Sequence, residues 1–348
     1  MSPELIELRD SARQVLGAGG LSADESKTWS QALELGWLLV AVPEGLGGLG
    51  QGLAGASAFY AEFGRSLNAA PYVPAMLGID AVCHAARADR ANWLERLTTR
   101  DFVTASLGDA RLAITNMSGG KPTLRGTVSA VPSADRAAHV LVCSADEACV
   151  ALVPMAQAGV ERTSRPTWDA TRRLFDLRFT DVEIDSDLIL ASGSEAQALS
   201  RRLATHRDFA LASDAVGGAS AVLDMTIEYL QTRRQFGRPL ALFQALKHRC
   251  ADLKAQVCAA EALLLDSLSR VGEALETVDA ETLGRGAKFF ACSVYARVAE
   301  EALQLHGGIG MTAEHTCHRY LKRALLDEQL GRGDRYALDI ADAFLGGL

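Results

Sequence analysis

The spacing of apolar residues divides the chain into a helical beginning, a short region of strands and a helical end. Residues 1–105 are rich in Ala and Leu and predict helices with one interruption at 35–50, where Pro43 and several glycines break any regular element. Between about 106 and 190 the period becomes two, and residues 174–182 alternate apolar with polar side chains, as a half-buried strand does. We therefore expect a small β region between two helical ones.

Helical spacing returns in the last part of the chain. Apolar residues recur at alternating steps of four and three along 246–264, and again at helical spacing along 283–305. Together with 210–230 these segments predict at least three long antiparallel helices, as an up-and-down bundle requires. The third helix should end at Gly307 and Gly308, because glycine commonly follows the last turn of a helix.

The middle region completes this organisation. Residues 140–143 and 149–154 predict the two strands of a hairpin. The expected fold class is therefore α+β and mainly α. Its predicted domains are an N-terminal helical domain at 1–105, a β domain at 106–190 and a C-terminal helix bundle at 195–348.

Composition excludes several classes of function. The chain has 348 residues and a net charge of −8, so the basic surface that nucleic-acid binding needs is missing. The longest apolar run, 37–42, is too short to span a bilayer, and the N-terminal residues mix acids with bases, unlike a secretory signal. Seven scattered cysteines are typical of reduced thiols. We therefore expect a cytoplasmic protein without membrane or nucleic-acid partners.

One group of residues suggests metal binding but lacks a complete ligand set. His315, Cys317 and His318 lie close together in the sequence, whereas a fourth ligand and a partner motif at zinc spacing are missing. The sequence therefore predicts no metal site.

The most informative stretch is 232–248, which reads TRRQFGRPLALFQALKH. It places Arg233 at the end of one predicted helix, a turn around Gly237, and Phe243 with Gln244 at the start of the next helix. Such a corner could bind an anion at the end of a helix bundle. The plain alternative is a solvated helix end, because most charge runs serve solubility.

The order of these residues resembles the signature TRRQFGRPLxxFQ of the C-terminal domain of the acyl-CoA dehydrogenase family. Residues 304–310 (QLHGGIG) followed by 319–322 (RYLK) resemble a second family segment, and 35–50 (LGWLLVAVPEGLGGLG) resembles its N-terminal loop, followed by 62–67 (EFGRSL) and 71–74 (PYVP). The resemblance covers nearly the full length. It implies the acyl-CoA dehydrogenase fold, with an N-terminal helical domain, a middle β domain and a C-terminal four-helix bundle.

The resemblance also implies an FAD cofactor that lies between subunits. In the family, one subunit holds the flavin ring and its neighbour contacts the pyrophosphate and adenosine. By motif match, the neighbour contacts of this chain are Arg233, Phe236, Gln244, Gln304, Gly307 and Gly308. A guanidinium suits phosphate oxygens, and glycine lets the backbone come close to a cofactor.

The residues that hold the ring in this family are missing here. Residues 106–116 read SLGDARLAITN where the family has a TEPxAGSD-like loop. Residues 130–133 read AVPS where a WIT-like strand is expected, so the aromatic is absent and Pro132 removes a strand donor. We therefore expect that this chain holds no flavin ring of its own.

The catalytic glutamate of the family is missing too. Counting from the matched motifs, its two alternative positions fall on Gly331 and Arg207, and neither residue type can take a proton. Asp208, Glu328 and Asp334 lie nearby in the sequence. Each could act as the base only if the alignment with the family motif is shifted, because successive side chains of a helix point about 100° apart.

These retained and lost motifs favour a non-catalytic subunit of a heteromeric acyl-CoA dehydrogenase, similar to the α2β2 enzymes of actinobacterial steroid degradation. The resemblance implies α,β-desaturation of an acyl-CoA thioester, with a steroid side-chain CoA as one possible substrate, by a catalytic partner that carries the glutamate and passes electrons to an electron-transfer acceptor. Two alternatives stay open. The first is a self-sufficient homotetramer whose base is Asp208 or Glu328, and the second is a scaffold subunit without flavin.

Overall fold

The computed structural model describes residues 3–108, 110–115, 121–146 and 148–345, and it confirms the predicted α+β, mainly α fold. The N-terminal helices are α1 (Pro3–Ala18), α2 (Glu25–Glu34), α3 (Gly52–Arg65), α4 (Tyr72–His84) and α5 (Arg90–Thr99). The predicted interruption at 35–50 contains two short 3-10 turns, Trp37–Leu39 and Glu44–Leu46. Helix resumes at Gly52, close to the expected position.

The middle region forms two four-stranded sheets. One has the order β1 (Val103–Ala105), β4 (His139–Cys143), β5 (Cys149–Pro154), β8 (Ile189–Ser192), and the other β2 (Ala110–Thr115), β3 (Thr123–Pro132), β7 (Leu174–Glu183), β6 (Val160–Arg165). Buried residues of both sheets, such as Val142 and Leu177, share one apolar core, so the sheets pack face to face. The predicted hairpin is confirmed by the pairing of Val140 with Val153, and the predicted strand at 174–182 is confirmed as β7.

The C-terminal part is a helical bundle. Its helices are α6 (Gly193–Thr232), α7 (Gln244–Val271), α8 (Val278–His306), α9 (Cys317–Gln329) and α10 (Arg335–Leu345). Between α6 and α7 the chain makes a small hairpin of β9 (Arg234–Gln235) and β10 (Arg238–Pro239). Helix α6 begins well before the predicted 210, because its first half is buried as well and shows no simple apolar stripe.

The N-terminal helices and the bundle share one large core. Helices α3 and α6 touch through their backbones, since a Cβ at Gly64 would overlap the Asp214 carbonyl and a Cβ at Gly217 would overlap the Ala61 carbonyl. Only glycine allows this approach. The first strand begins at Val103 and α6 at Gly193, while the predicted domain boundaries at 105/106 and 190/195 stay predictions. In the described part of the chain, none of the helices combines the length and apolar character that crossing a bilayer requires.

A buried ion network joins the β region to the bundle. The guanidinium of Arg323, on α9, is 1% exposed and contacts Asp169 at 2.8 Å and Asp214 at 3.3 Å. Arg172 bridges Asp327 at 2.7 Å and Asp214 at 3.0 Å. Burial disfavours the charged form of Asp169, but Arg323 and hydrogen bonds from Thr171 outweigh it, so the pKa of Asp169 is lowered.

Replacing Arg323 with Met should lower the free energy of unfolding by about 3–5 kcal/mol, because it leaves the buried carboxylate of Asp169 without its ion-pair partner. Chemical denaturation measures the loss. The matched control is Arg125→Met, which breaks the exposed ion pair with Asp181 and should cost only about 0–1 kcal/mol. Equal small losses for the two variants would show that the network contributes little.

Candidate functional site

A cavity of about 280 Å³ lies where the β region meets the bundle. Its walls include Ser106 from the segment after β1, Arg207 and Asp208 from α6, and Gly331 with Arg332 from the turn after α9. The two positions that the family motifs assign to the catalytic base, Gly331 and Arg207, therefore line one cavity although they are far apart in the sequence. This volume is near the lower limit of pockets that hold small ligands.

The place that a side chain at position 331 would occupy is filled. Gly331 has φ +77°, and a Cβ built there would overlap the Tyr336 hydroxyl and lie 3.0 Å from its Cζ. The Tyr336 hydroxyl donates a hydrogen bond to the Asp208 carboxylate at 2.6 Å. The base position of the family is thus replaced by a phenol from α10 that bonds to a carboxylate on α6.

Asp208 is the candidate base nearest to this cavity, but its carboxylate is already bound. Its Oδ1 accepts from Arg207 Nε at 3.0 Å and Nη2 at 2.9 Å, besides the bond from Tyr336. Burial opposes the charge of Arg207, but attraction from Asp208 outweighs it and raises the pKa of the guanidinium. Burial and repulsion from Asp208 raise the pKa of the Tyr336 phenol well above its usual value. All the donors around Asp208 therefore keep their protons.

The other shifted candidates lie elsewhere. Glu328 is half-buried near the end of α9, where burial raises the pKa of its carboxyl and its backbone carbonyl accepts from Lys288. Asp334 is exposed in the turn before α10. Neither is among the described residues that line the cavity.

Main-chain hydrogen bonds link the segment after β1 to β3 and to the turn after α9. The Leu107 amide donates to the Ala130 carbonyl at 3.1 Å, and the Gly331 amide donates to the Leu107 carbonyl at 2.6 Å. Ala130, at the place of the family's aromatic, has φ +51° beside a register shift in β3. Two residues of the segment 106–116, Asp109 and Asn116, lie outside the described residues.

Pro132, which has no amide donor, lies at the end of a strand in the structure. β3 extends to Pro132, which pairs with Leu174 as the last residue of the strand. Its carbonyl accepts a hydrogen bond from Thr104 at 2.6 Å. A proline at a strand end removes no donor from the interior of the sheet, so the strand persists without the aromatic.

The predicted anion-binding corner lies at the other end of α6. The hairpin exposes 90% of Phe236, whose ring meets Phe243 at 6.1 Å, and the guanidinium of Arg238 lies over Phe243 at 4.0 Å. Within the described residues, the guanidinium of Arg233 contacts no carboxylate. An exposed, unpaired cation beside aromatic rings suits an anionic ligand.

The six predicted cofactor contacts share this end of the bundle. Tyr229 of α6 stacks on His306 of α8 with ring centroids 4.6 Å apart, and Arg249 of α7 bridges Glu301 of α8. These contacts hold the end of α6, the start of α7 and the end of α8 together. The predicted cofactor contacts lie on or beside these helix ends, and all six are exposed: Arg233, Phe236, Gln244, Gln304, Gly307 and Gly308. The turn at Gly307 has φ +64°, which favours glycine.

The base cavity and this corner are far apart within one chain. Arg207 lies in the first half of α6 and Arg233 directly follows its last residue, 26 positions later, so about 39 Å of helix separates them at roughly 1.5 Å per residue. That is longer than an extended FAD molecule. One FAD therefore cannot reach both places in the same chain.

Most of this chain resembles known acyl-CoA dehydrogenases in sequence. The family model for the N-terminal domain of acyl-CoA dehydrogenases matches residues 3–101, and the model for their C-terminal domain matches residues 197–335. The acyl-CoA dehydrogenase IpdE2 of Mycobacterium tuberculosis is 31% identical over 323 residues, covering 90% of this chain and 85% of that protein. IpdE2 of Mycolicibacterium smegmatis is 36% identical over 166 residues, covering 48% of this chain and 47% of that protein.

Solved structures show the same fold. The ChsE4-ChsE5 complex from Mycobacterium tuberculosis superposes with a TM-score of 0.88 at 24% identity, covering 99% of this chain and 98% of that one. The Tcur3481-Tcur3483 steroid ACAD G363A variant superposes with a TM-score of 0.86 at 25% identity and the same coverage. The resemblance in the sequence motifs is thus confirmed, and this chain belongs to the acyl-CoA dehydrogenase family.

Proposed function

We propose that this chain is the non-catalytic subunit of a heteromeric acyl-CoA dehydrogenase and lends FAD contacts to a catalytic partner of the same family. One observation carries the proposal. Both family positions for the base meet in one cavity, where one is glycine, the other is arginine, and the Tyr336 phenol occupies the space between them and Asp208. Among the described residues, the two carboxylates that line this cavity, Asp208 and Glu281, are both paired with arginines and are therefore not free to take the α-proton of an acyl-CoA.

The residues of this chain fit one half of an FAD site better than the other. The ring half fits poorly, because Ala130 stands where the family has an aromatic residue and offers no ring to cover a flavin. The nucleotide half fits, because Arg233 offers an unpaired cation to phosphate, Gln244 and Gln304 offer amides, and Gly307 leaves its backbone open. When bound, FAD supplies the hydride acceptor for α,β-desaturation of an acyl-CoA thioester.

The relatives support a partner of the same family. Two of the similar solved structures are described as assemblies of two named chains, ChsE4-ChsE5 and Tcur3481-Tcur3483, and the second is described as a steroid enzyme. We propose an α2β2 assembly whose partner carries the glutamate, takes a bulky acyl-CoA such as a steroid side-chain CoA, and passes electrons to an electron-transfer acceptor. The cytoplasmic location stays a prediction.

A second candidate function is a self-sufficient homotetramer. It is favoured by the position of Asp208 on the cavity wall. For Asp208 to act as a base, however, only its Oδ2 could take the proton, because Oδ1 already accepts bonds from Arg207 and Tyr336. We therefore prefer the heteromer.

Replacing Arg233 with Ala should weaken FAD retention in the assembled enzyme about 10- to 100-fold, because a charged hydrogen bond contributes roughly 1.5–3 kcal/mol. The test uses the chain co-expressed with a catalytic subunit that retains the glutamate, sought in the neighbouring reading frame, and measures flavin per complex by absorbance. The control is Arg270→Ala, an exposed cation at the far end of α7.

The outcomes separate the alternatives. Unchanged flavin content in the Arg233→Ala complex would favour a scaffold subunit. A chain that is yellow when purified alone, and whose flavin is reduced by an acyl-CoA, would establish the self-sufficient enzyme instead. A colourless lone chain and a yellow complex support the shared site.

The obstruction of the base position is tested by a double-mutant cycle. Gly331→Ala should cost about 2–3 kcal/mol of stability, since the new methyl group overlaps the Tyr336 hydroxyl and the backbone has φ +77°. In a Tyr336→Phe background the same change should cost at least about 1 kcal/mol less, because the hydroxyl is gone. Chemical denaturation gives the four values.

The control for backbone strain is Gly333→Ala, which has φ +53° and no neighbour closer than 3.6 Å to a built Cβ. It reports the conformational cost without the overlap. If Gly331→Ala costs the same with and without the Tyr336 hydroxyl, the phenol is not what occupies the base position.

A further inference from the structure

Three potential metal ligands meet where α8 ends and α9 begins. A ring nitrogen of His306, a ring nitrogen of His315 and the Cys317 sulfur all lie within 4.8 Å of one another. His306 and Cys317 are buried and His315 is half-buried. His318, which the sequence grouped with His315 and Cys317, is not part of this cluster, and His306 takes its place.

His306 has an unpartnered nitrogen in a buried place. Its Nδ1 lies 2.8 Å from the Ala302 carbonyl, whose oxygen can only accept, so Nδ1 carries the proton. The Nε2 atom then presents a lone pair, and it has no hydrogen-bond partner in the described part of the chain. A buried polar atom left without a partner calls for an explanation. A histidine whose other nitrogen donates to a backbone carbonyl is the usual arrangement of a metal ligand.

His315 and Cys317 can complete the set. The Nδ1 atom of His315 accepts from the Cys317 amide at 3.2 Å, so it too is unprotonated and faces the first turn of α9. An amide in the first turn of a helix has no partner within the helix, so it can donate to water when His315 binds a metal ion. The half-exposed ring of His315 leaves a path for an ion and a water molecule.

We propose that His306, His315 and Cys317 bind one Zn²⁺ ion, with water as the fourth ligand. Nitrogen and thiolate ligands in a tetrahedral arrangement are typical of zinc. Bond lengths of about 2.0–2.3 Å place such ligand atoms roughly 3.4–3.6 Å apart, so the three groups close by about 1 Å on binding. Binding forms bonds to two nitrogens and one sulfur, and the Cys317 thiol releases its proton to water.

The position of this metal site affects the turn that joins α8 to α9. The 3-10 turn Gly307–Met311 lies between His306 and His315 and carries Gly307 and Gly308. A bound ion holds the two ends of this turn together and fixes the start of α9 against the end of α8. The ion thereby orders the turn whether or not a nucleotide binds there.

The test uses the full chain purified without a histidine tag, stripped with a chelator, and titrated with Co²⁺ as the spectroscopic probe. One equivalent should give the near-ultraviolet charge-transfer band of a cobalt-thiolate bond and the visible bands of a tetrahedral ion. Cys317→Ser should abolish the charge-transfer band and weaken Zn²⁺ binding at least about 100-fold, measured by competition with a chromophoric chelator. His315→Gln should weaken Zn²⁺ binding to a similar extent.

The control Cys258→Ser removes an exposed cysteine of α7 and should change neither measurement. His315→Gln keeps the test decisive if the buried Cys317→Ser variant does not fold, because His315 is only half-buried. A wild-type chain without a charge-transfer band, or Zn²⁺ binding that His315→Gln leaves unchanged in a folded protein, would overturn the site. Neither readout requires flavin or a partner chain, so the result is independent of the proposed function.

Discussion

The rest of the structure depends on the backbone contact between α3 and α6. Glycines at positions 64 and 217 let the two helices touch without intervening side chains, which fixes the position of α6 against the N-terminal helices. Both functional regions are attached to this one helix. Asp208 lies in its first half, facing the β region, and the hairpin with Arg233 follows its last turn. Their separation is therefore fixed by the core and not by the loops.

The cavity residues form a polar group that satisfies itself. Arg207 and Tyr336 supply the donors and Oδ1 of Asp208 accepts all of them, so the charge of this carboxylate is paired within the cavity. The corner at the other end of α6 differs from this cavity, because the cation of Arg233 and the backbone at Gly307 are exposed to solvent. Within one fold, the carboxylate of the cavity is paired, whereas the corner at the other end of α6 presents an exposed cation.

Sequence reasoning succeeded where periodicity and turn chemistry decide the structure. Apolar spacing predicted α7 and α8, and alternation predicted β7. Apolar spacing marked only 210–230 of α6, because the first half of this helix buries polar residues such as His206, which bonds to Asp80 and Tyr60.

Tertiary partners explain the other misses. Tyr336 could not be foreseen, since its approach to Gly331 depends on a turn with two positive φ angles. The contact between His306 and Cys317, eleven positions later, depends likewise on a turn whose path the motif did not specify.

The exposed aromatic ring of the hairpin is held in an unfavourable backbone conformation. Phe236 is 90% exposed at φ +51°, a conformation that costs a non-glycine residue about 1–2 kcal/mol. Any surface that covers this ring stabilises the hairpin by mass action, so its order depends on the concentration of that binder.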